Sequence, residues 1–160
     1  MLCFLGALLL LGSFGYVGYT LVYMEHQRVR QTEGVLLLLR HIRNGIVCFA
    51  FPIEEIYAGF QNESLEACGF LPALRQGGFA HALQVCRHSL WLEAEELRTL
   101  SAFAGEVGKS YSHEQARLCD YTAGEIEQAL HRRREEAPRR ARAAASLALC
   151  AGLALLILLL

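Results

Sequence analysis

The chain begins and ends in apolar tracts, and every charged residue lies between them. Residues 1–24 and 143–160 contain no Asp, Glu, Lys or Arg, whereas residues 25–142 hold all 15 Lys and Arg and all 16 Asp and Glu. Because a helix rises ~1.5 Å per residue, the two tracts would span roughly 36 Å and 27 Å, each about one bilayer core. The pattern predicts a transmembrane helix at each end of the chain.

Apolar residues of the middle segment recur every three or four positions, the spacing of a buried helix face. These stripes comprise Leu39, Ile42, Ile46 and Phe49; Ile53, Ile56, Tyr57 and Phe60; Phe79, Leu83 and Cys86; Leu97, Leu100, Ala104 and Val107; and Cys119, Ala123, Ile126 and Leu130. No run of alternating β-branched residues appears in the sequence, so no strand is predicted. The expected fold class is all-α: a helical bundle over 25–142, flanked by transmembrane helices over 1–24 and 143–160.

Turn residues divide the first half of the middle segment into helices. The first helix is expected to leave the membrane without a break and to end at Phe51. Pro52 then suits a first helical position, with Glu54 and Glu55 in the first turn. The polar residues 61–64 and the pair Gly77-Gly78 predict further breaks.

The second half contains a predicted terminator, a predicted cap and a predicted interruption. Gly108 is expected to end one helix. Residues 112–115 read Ser-His-Glu-Gln and have the form of a capping box, so a long helix should start there. The residue before a proline disfavours helical geometry, which predicts a kink or short break at Glu136–Pro138.

Arginines flank the two tracts on their inner sides only. Those expected to anchor the chain at the membrane surface are Arg28, Arg30, Arg132, Arg133, Arg134, Arg139, Arg140 and Arg142. Because cationic side chains stay on the cytoplasmic side, we expect a two-pass protein of the cell membrane with a cytoplasmic middle and both termini outside. The second cluster also suits anionic lipid head groups. The alternative is a cleaved signal peptide over the first tract, although no charged residue precedes Leu8–Leu11.

Small residues recur within both tracts at helical spacing. They are Gly12, Gly15 and Gly18 in the first tract, and Ala144, Ala148 and Gly152 in the second. Small side chains let transmembrane helices approach closely. The tracts are expected either to pack against each other or a partner, or simply to face lipid.

Composition excludes some classes of function. The middle segment carries the whole net charge of −1, so it has no excess of cations with which to bind nucleic acid. Cys48, Cys68, Cys86 and Cys119 form no C-x-x-C pair. In a cytoplasmic domain we expect all four to be reduced core residues.

Three residue groups resemble reactive sites, but each is better explained as ordinary structure. His81, Cys86 and His88 have zinc-ligand chemistry at a spacing that does not converge on one helix. Gly105 to Ser110 lacks the full phosphate-loop spacing. His113, Cys119 and Asp120 lie on one predicted helix, which does not supply nucleophile–base geometry. No catalytic, metal or cofactor site is predicted.

An ordered set of segments resembles the stage III sporulation protein AB family. The segments are the Gly-containing first tract, Arg28–Arg30, Leu36–Ile42, Gly45-Ile46, Phe51–Ile56, Leu100, Phe103–Ser110, Gln115 and Gly152–Leu160. One departure is Tyr111, where the family leads us to expect an acidic residue.

The resemblance implies a cytoplasmic helical bundle similar to the F-type platform proteins of type II secretion. It implies a non-enzymatic platform in the channel complex between mother cell and forespore, on the mother-cell side. The implied partners are a secretion-type ATPase, stage III sporulation protein AA, and the other stage III sporulation membrane proteins. Glu54, Glu55 and Lys109 lie in segments suited to partner contact.

Two other functions remain open at this point. A stand-alone membrane protein, such as a transporter accessory or a lipid-binding regulator, would purify stably without partners. A membrane-tethered enzyme would bring buried ionisable residues together in a pocket.

Overall fold

The chain is helical in the part that the structure describes. The structure is a computed structural model that describes the backbone of residues 2–49, 51–109 and 111–159, with the side chains between 16 and 154 in those ranges except 17, 18, 21, 141, 144, 148, 149 and 153. The helices are α1 (Leu2–Asn44), α2 (Ile53–Gly59), α3 (Glu63–Ala67), α4 (Phe70–Val85), α5 (Ala94–Glu106) and α6 (Ser112–Leu159), with a π turn at Gly45–Phe49 after α1.

The chain divides into two compact units. One consists of the terminal segments Met1–His26 and Arg133–Leu160, and the other of Gln27–Arg132, called the bundle below. No helix shows an apolar stretch long enough to cross a membrane within the described residues. Most side chains of the two apolar tracts lie outside those residues, so the transmembrane helices stay a prediction. The all-α bundle is confirmed.

An aromatic cluster occupies the centre of the bundle core. Phe79 of α4 contacts Phe70 edge-on at 5.6 Å between ring centroids, and it contacts Phe103 of α5 edge-on at 5.0 Å. Phe70 and Phe103 are fully buried. Edge-to-face geometry is favoured because ring edges are positive and ring faces negative. The aliphatic residues packed around this cluster include Leu38, Leu39, Ile42, Leu65, Leu71, Leu74, Leu100 and Ile126.

Within the bundle, α1 and α6 run antiparallel. Arg40 pairs with Glu127 at 2.8 Å, and Arg43 pairs with Asp120 at 2.5 Å, so later residues of α1 meet earlier residues of α6. All four side chains are more than a third exposed, so these ion pairs align the helices more than they stabilise them.

Side chains fix the short helices α2 and α3 in place. Nε2 of His41 lies 3.1 Å from the carbonyl oxygen of Ile56, and the His41 ring packs on Phe60 at 5.3 Å. Arg75 donates to the carbonyl of Phe60 at 3.0 Å and pairs with Glu66. The loop between α2 and α3 is therefore anchored on both sides.

Several predicted helix boundaries are confirmed to within a residue. Helix α2 starts at Ile53, with Pro52 in the cap position and Glu54 and Glu55 in the first turn. Helix α4 is kinked at Gly78, which has φ +77°. Helix α5 ends at Glu106, followed by Gly108 in the left-handed region at φ +84°.

The sequence predicted a kink or a short break at Glu136–Pro138, and the break is wrong. Helix α6 runs from Ser112 to Leu159 with Pro138 inside it. A proline removes one backbone donor, whereas the Arg, Glu and Ala around it are strong helix formers. Two contacts reinforce this turn: Arg140 pairs with Glu136 at 2.6 Å, and Arg142 donates to the carbonyl of Pro138 at 3.0 Å.

Candidate interaction surfaces

An exposed aromatic cluster lies at the end of the bundle where α1 stops. Phe49 and Phe51 stack at 5.3 Å with an interplanar angle of 9°, yet they are 64% and 50% exposed. Val47 beside them is 52% exposed. We call Val47, Phe49 and Phe51 the aromatic tip. Large apolar side chains grouped on a surface commonly mark an interaction site.

The π turn explains why Phe49 and Cys48 were wrongly predicted to be buried. Its i→i+5 hydrogen bonding adds a residue to the turn, so the α-helical stripe ends at Ile46 and the next residues point to solvent. Gly45 allows this turn to pack closely, because a Cβ at that position would lie 2.6 Å from Cδ1 of Ile56.

The predicted partner-binding residues lie at this same end of the bundle. Glu54 and Glu55 are exposed in the first turn of α2, directly after the aromatic tip. Lys109 is exposed in the turn that precedes α6, and Tyr111 is 86% exposed. Because α1 and α6 are antiparallel, the end of α1 and the start of α6 share one end of the bundle. We call it the distal end.

Comparison with known families identifies the chain. The family model for stage III sporulation protein AB matches residues 3–160. The chain belongs to the stage III sporulation protein AB family. No curated protein and no solved structure is similar enough to the chain to be matched with it.

Family membership makes the protein sporulation-associated, and the family is not a known enzyme family. Within the described residues, no three His, Cys, Asp or Glu side chains are grouped so that they could hold a metal ion. His81 and His88 are exposed, whereas Cys86 between them is 2% exposed. Gly105 lies inside α5 and not in a phosphate-binding loop.

The four cysteines of the bundle have free thiols. Burial disfavours the ionisation of three of these thiols. Burial raises the pKa of Cys119 to about 11, with Asp120 adding to the effect and Arg43 opposing it. Burial also raises the pKa of Cys68 and of Cys86. Because the thiolate is the reactive form, these three thiols are poor nucleophiles. Cys48, in contrast, is exposed.

The predicted membrane-surface arginines are mostly solvent-exposed. Arg28 is half-buried, and so is Arg133, while the other six are exposed. Arg140 and Arg142 make the local contacts around Pro138 described above. Among the small residues predicted to pack, Gly152 is buried, and the side-chain surroundings of Gly12, Gly15, Gly18, Ala144 and Ala148 lie outside the described residues.

Helix α1 holds the loop between α4 and α5 through a set of contacts that the sequence pattern did not predict. Gln31 is 5% exposed; its Nε2 donates to the carbonyl of Ser89 at 3.2 Å, and its Oε1 accepts from the backbone N–H of Trp91 at 2.7 Å. The guanidinium carbon of Arg28 lies 5.9 Å from the centre of the Trp91 ring. The one hint in the sequence was the single tryptophan in an otherwise unexplained stretch.

An open groove separates α4 from α5. Its volume is about 510 Å³, and its walls are formed by Ala80, Leu83, Gln84, Arg87, Ala94, Leu97, Arg98, Ser101 and Ala104. These side chains include two cations and no carboxylate. They therefore contain no acid–base pair of the kind that hydrolytic chemistry uses.

Proposed function

We propose that this protein is a membrane-held platform of a sporulation secretion-like channel complex between mother cell and forespore. In this proposal the terminal tracts cross the cell membrane, the bundle lies in the cytoplasm of the mother cell, and its distal end docks a secretion-type ATPase of the stage III sporulation protein AA kind. The bundle performs no chemistry of its own. Other stage III sporulation membrane proteins complete the assembly.

The observation that carries the proposal is the aromatic tip beside an acidic helix start. Interfaces are enriched in aromatic residues, and exposed Phe side chains are the kind that become energetic anchors when a partner covers them. Glu54 and Glu55 add negative charge next to the tip, which favours a partner whose apolar pocket has a basic rim. Family membership supplies the sporulation context.

The test is a pull-down from membranes that contain the ATPase and the other complex members. Wild type is expected to retain the ATPase, and Glu54→Arg/Glu55→Arg is expected to lose it. Phe49→Ser/Phe51→Ser should also lose it, because the apolar anchors are gone. Lys109→Glu shows whether the turn before α6 takes part in the contact.

A matched control is Glu63→Arg, which reverses an exposed charge in the first turn of α3 instead of α2. It is expected to retain the ATPase. Circular dichroism must show that every variant keeps its helical content. If wild type fails to retain the ATPase when all members are co-expressed, the platform function is wrong. Stable purification of a functional protein without partners would favour a stand-alone membrane protein.

A further inference from the structure

The end of the bundle opposite the aromatic tip contains both of its chain ends. Gln27 and Arg132 are the first and last residues of the bundle, and because α1 and α6 are antiparallel, both lie toward this end. The loop between α4 and α5 lies there as well, since Gln31 binds it only four residues after Gln27. We call this the proximal end.

This loop is held rigidly. Gln31 binds it at two points, Ser89 and Trp91. Leu90 between them is 4% exposed and belongs to the bundle core. A buried amide that both donates and accepts fixes the backbone on either side of Leu90, because leaving those groups unpaired would cost free energy. Whatever the loop displays is therefore presented in one orientation.

The proximal end combines an aromatic residue, an apolar residue and cations. Val85 at the end of α4 is 59% exposed, and Trp91 is half-buried under the guanidinium of Arg28. Arg87 and His88 are exposed in the loop. The further exposed arginines of the proximal end are Arg30 and Arg132. Residues 67–92 contain no Asp or Glu, and the loop ends in the exposed Glu93.

Tryptophan together with arginine is typical of protein segments that lie at a membrane–water interface. Tryptophan places its apolar body and polar N–H at head-group level, and basic residues near the surface attract anionic lipids. Arg28 lies four residues beyond Met24, the last residue of the first tract, which is about 6 Å of helical rise. The part of α1 that holds the loop, Arg28 to Gln31, therefore follows the predicted span directly in sequence.

We propose that residues 85–92 form an interfacial anchor that rests on a bilayer containing anionic lipid. Trp91 lies at head-group level, and Arg28 and Arg87 contact lipid phosphates. The inference rests on the membrane spans of the proposed function, but it goes further, because the spans alone do not place this loop on the bilayer. The anchor fixes the tilt of the bundle, so that its distal end points away from the membrane.

The test uses the single tryptophan of the full-length chain as a reporter. The protein is reconstituted in vesicles of phosphatidylcholine and phosphatidylglycerol, with one lipid brominated at a time. Brominated lipid is expected to quench the emission of Trp91, and aqueous iodide is expected to leave it largely unquenched. Emission quenched by iodide and unaffected by brominated lipid overturns the proposal.

Two variants in which the single tryptophan is moved to another position test the membrane spans separately from the loop. In a Trp91→Phe background, Tyr16→Trp reports on the first tract, and Tyr111→Trp reports on the distal end. Tyr16→Trp should be quenched by brominated lipid and Tyr111→Trp by iodide. If Tyr16→Trp is quenched and Trp91 is not, the loop proposal fails and the spans stand. If neither is quenched by lipid, both fail. ATPase docking is measured separately by the pull-down.

A further variant tests whether the loop requires anionic lipid. Arg87→Gln should lose the preference of Trp91 quenching for brominated phosphatidylglycerol over brominated phosphatidylcholine. Lys109→Gln removes one exposed cation at the distal end, so it should keep that preference. An unchanged preference in Arg87→Gln overturns the assignment of Arg87 to a lipid phosphate.

Discussion

Phe103 and Phe49 are aromatic residues on or beside predicted helix faces, and the structure gives them opposite surroundings. Phe103 adjoins the stripe of α5, and the sequence predicts that it is buried against the long helix that follows Ser112; it is fully buried, but the ring it meets is Phe79 of α4. Phe49 continued the stripe of α1 in the sequence, yet it is 64% exposed. The periodicity of apolar residues predicts which face of a helix is buried. It does not show where α-helical hydrogen bonding changes to that of the π turn after α1.

Phe103→Ala is expected to lower the free energy of unfolding of a fragment of residues 27–132 by about 3–5 kcal/mol, because it empties a closely packed site. Phe49→Ala is the matched control and should change it by less than about 0.5 kcal/mol, since exposed positions contribute little. Urea unfolding followed by circular dichroism measures both. Equal midpoints for Phe103→Ala and wild type would contradict the burial of Phe103.

Cys119 predicts a pH dependence of stability. Its thiol is fully buried and its pKa is raised from 9.0 to about 11, so the folded chain keeps this proton to higher pH than the unfolded chain does. The resulting stabilisation is complete below pH 9 and is lost as pH rises through 11. The loss by pH 11 is on the order of 2 kcal/mol, as each pKa unit is worth about 1.4 kcal/mol.

The measurement is the difference in unfolding free energy between wild type and Cys119→Ala at several pH values. Other titrating groups cancel in this difference, because both chains contain them. The advantage of wild type should be constant up to pH 9 and should then shrink. A difference that stays constant to pH 11 would show that the Cys119 thiol ionises normally in the fold.

At the scale of elements, the sequence predicted helices better than it predicted their junctions. The stripes of α2, α5 and α6 face the core as expected, although Leu97, Ala104 and Val107 of α5 are only partly buried. Gly78 and Gly108 mark a kink and an end. The π turn was not predicted; at its first residue, Gly45, an added Cβ would lie 2.6 Å from Ile56 on another helix. Such a contact between elements leaves no periodic trace in the sequence.

Gly45→Ala is expected to destabilise the fragment by about 1–3 kcal/mol, the usual cost of overpacking, because its Cβ would overlap Ile56. Gly105→Ala is the control: no atom lies within 4 Å of a Cβ there, and Gly105 is inside α5. It should stabilise by about 0.5–1 kcal/mol, as alanine favours helix over glycine. Thermal unfolding of both variants tests the pair, and a stabilised Gly45→Ala would refute the close approach.

The continuity of α6 through Pro138 shows a second limit of local reasoning. The rule for the residue before a proline predicts a kink or a short break, and it considers one position at a time. The structure instead has Arg140 paired with Glu136 and Arg142 bonded to the Pro138 carbonyl, both one turn apart. Several weak helix-favouring contacts together outweigh one unfavourable residue.

At the scale of the whole molecule, the two ends of the bundle have different chemistry. The distal end displays the aromatic tip with Glu54 and Glu55, and the proximal end displays Trp91 with arginines. The sequence indicated the acidic pair and Lys109, because these are charged residues in predicted turns. It did not indicate the aromatic tip or the loop held by Gln31, because both depend on contacts between residues distant along the chain.

The side of the membrane on which the bundle lies can be tested with Cys48, the exposed thiol of the bundle. If residues 25–142 are cytoplasmic, a membrane-impermeant maleimide should leave Cys48 unlabelled in intact cells and label it after permeabilisation. Cys68 and Cys86 are poorer reporters, because burial and raised pKa values slow their reaction on either side of the membrane. Cys48→Ser should abolish the labelling that is gained on permeabilisation, which identifies the site. Leu160→Cys places a thiol at the predicted outer terminus and should react in intact cells. Labelling of Cys48 in intact cells would place the bundle outside and exclude docking to a cytoplasmic ATPase.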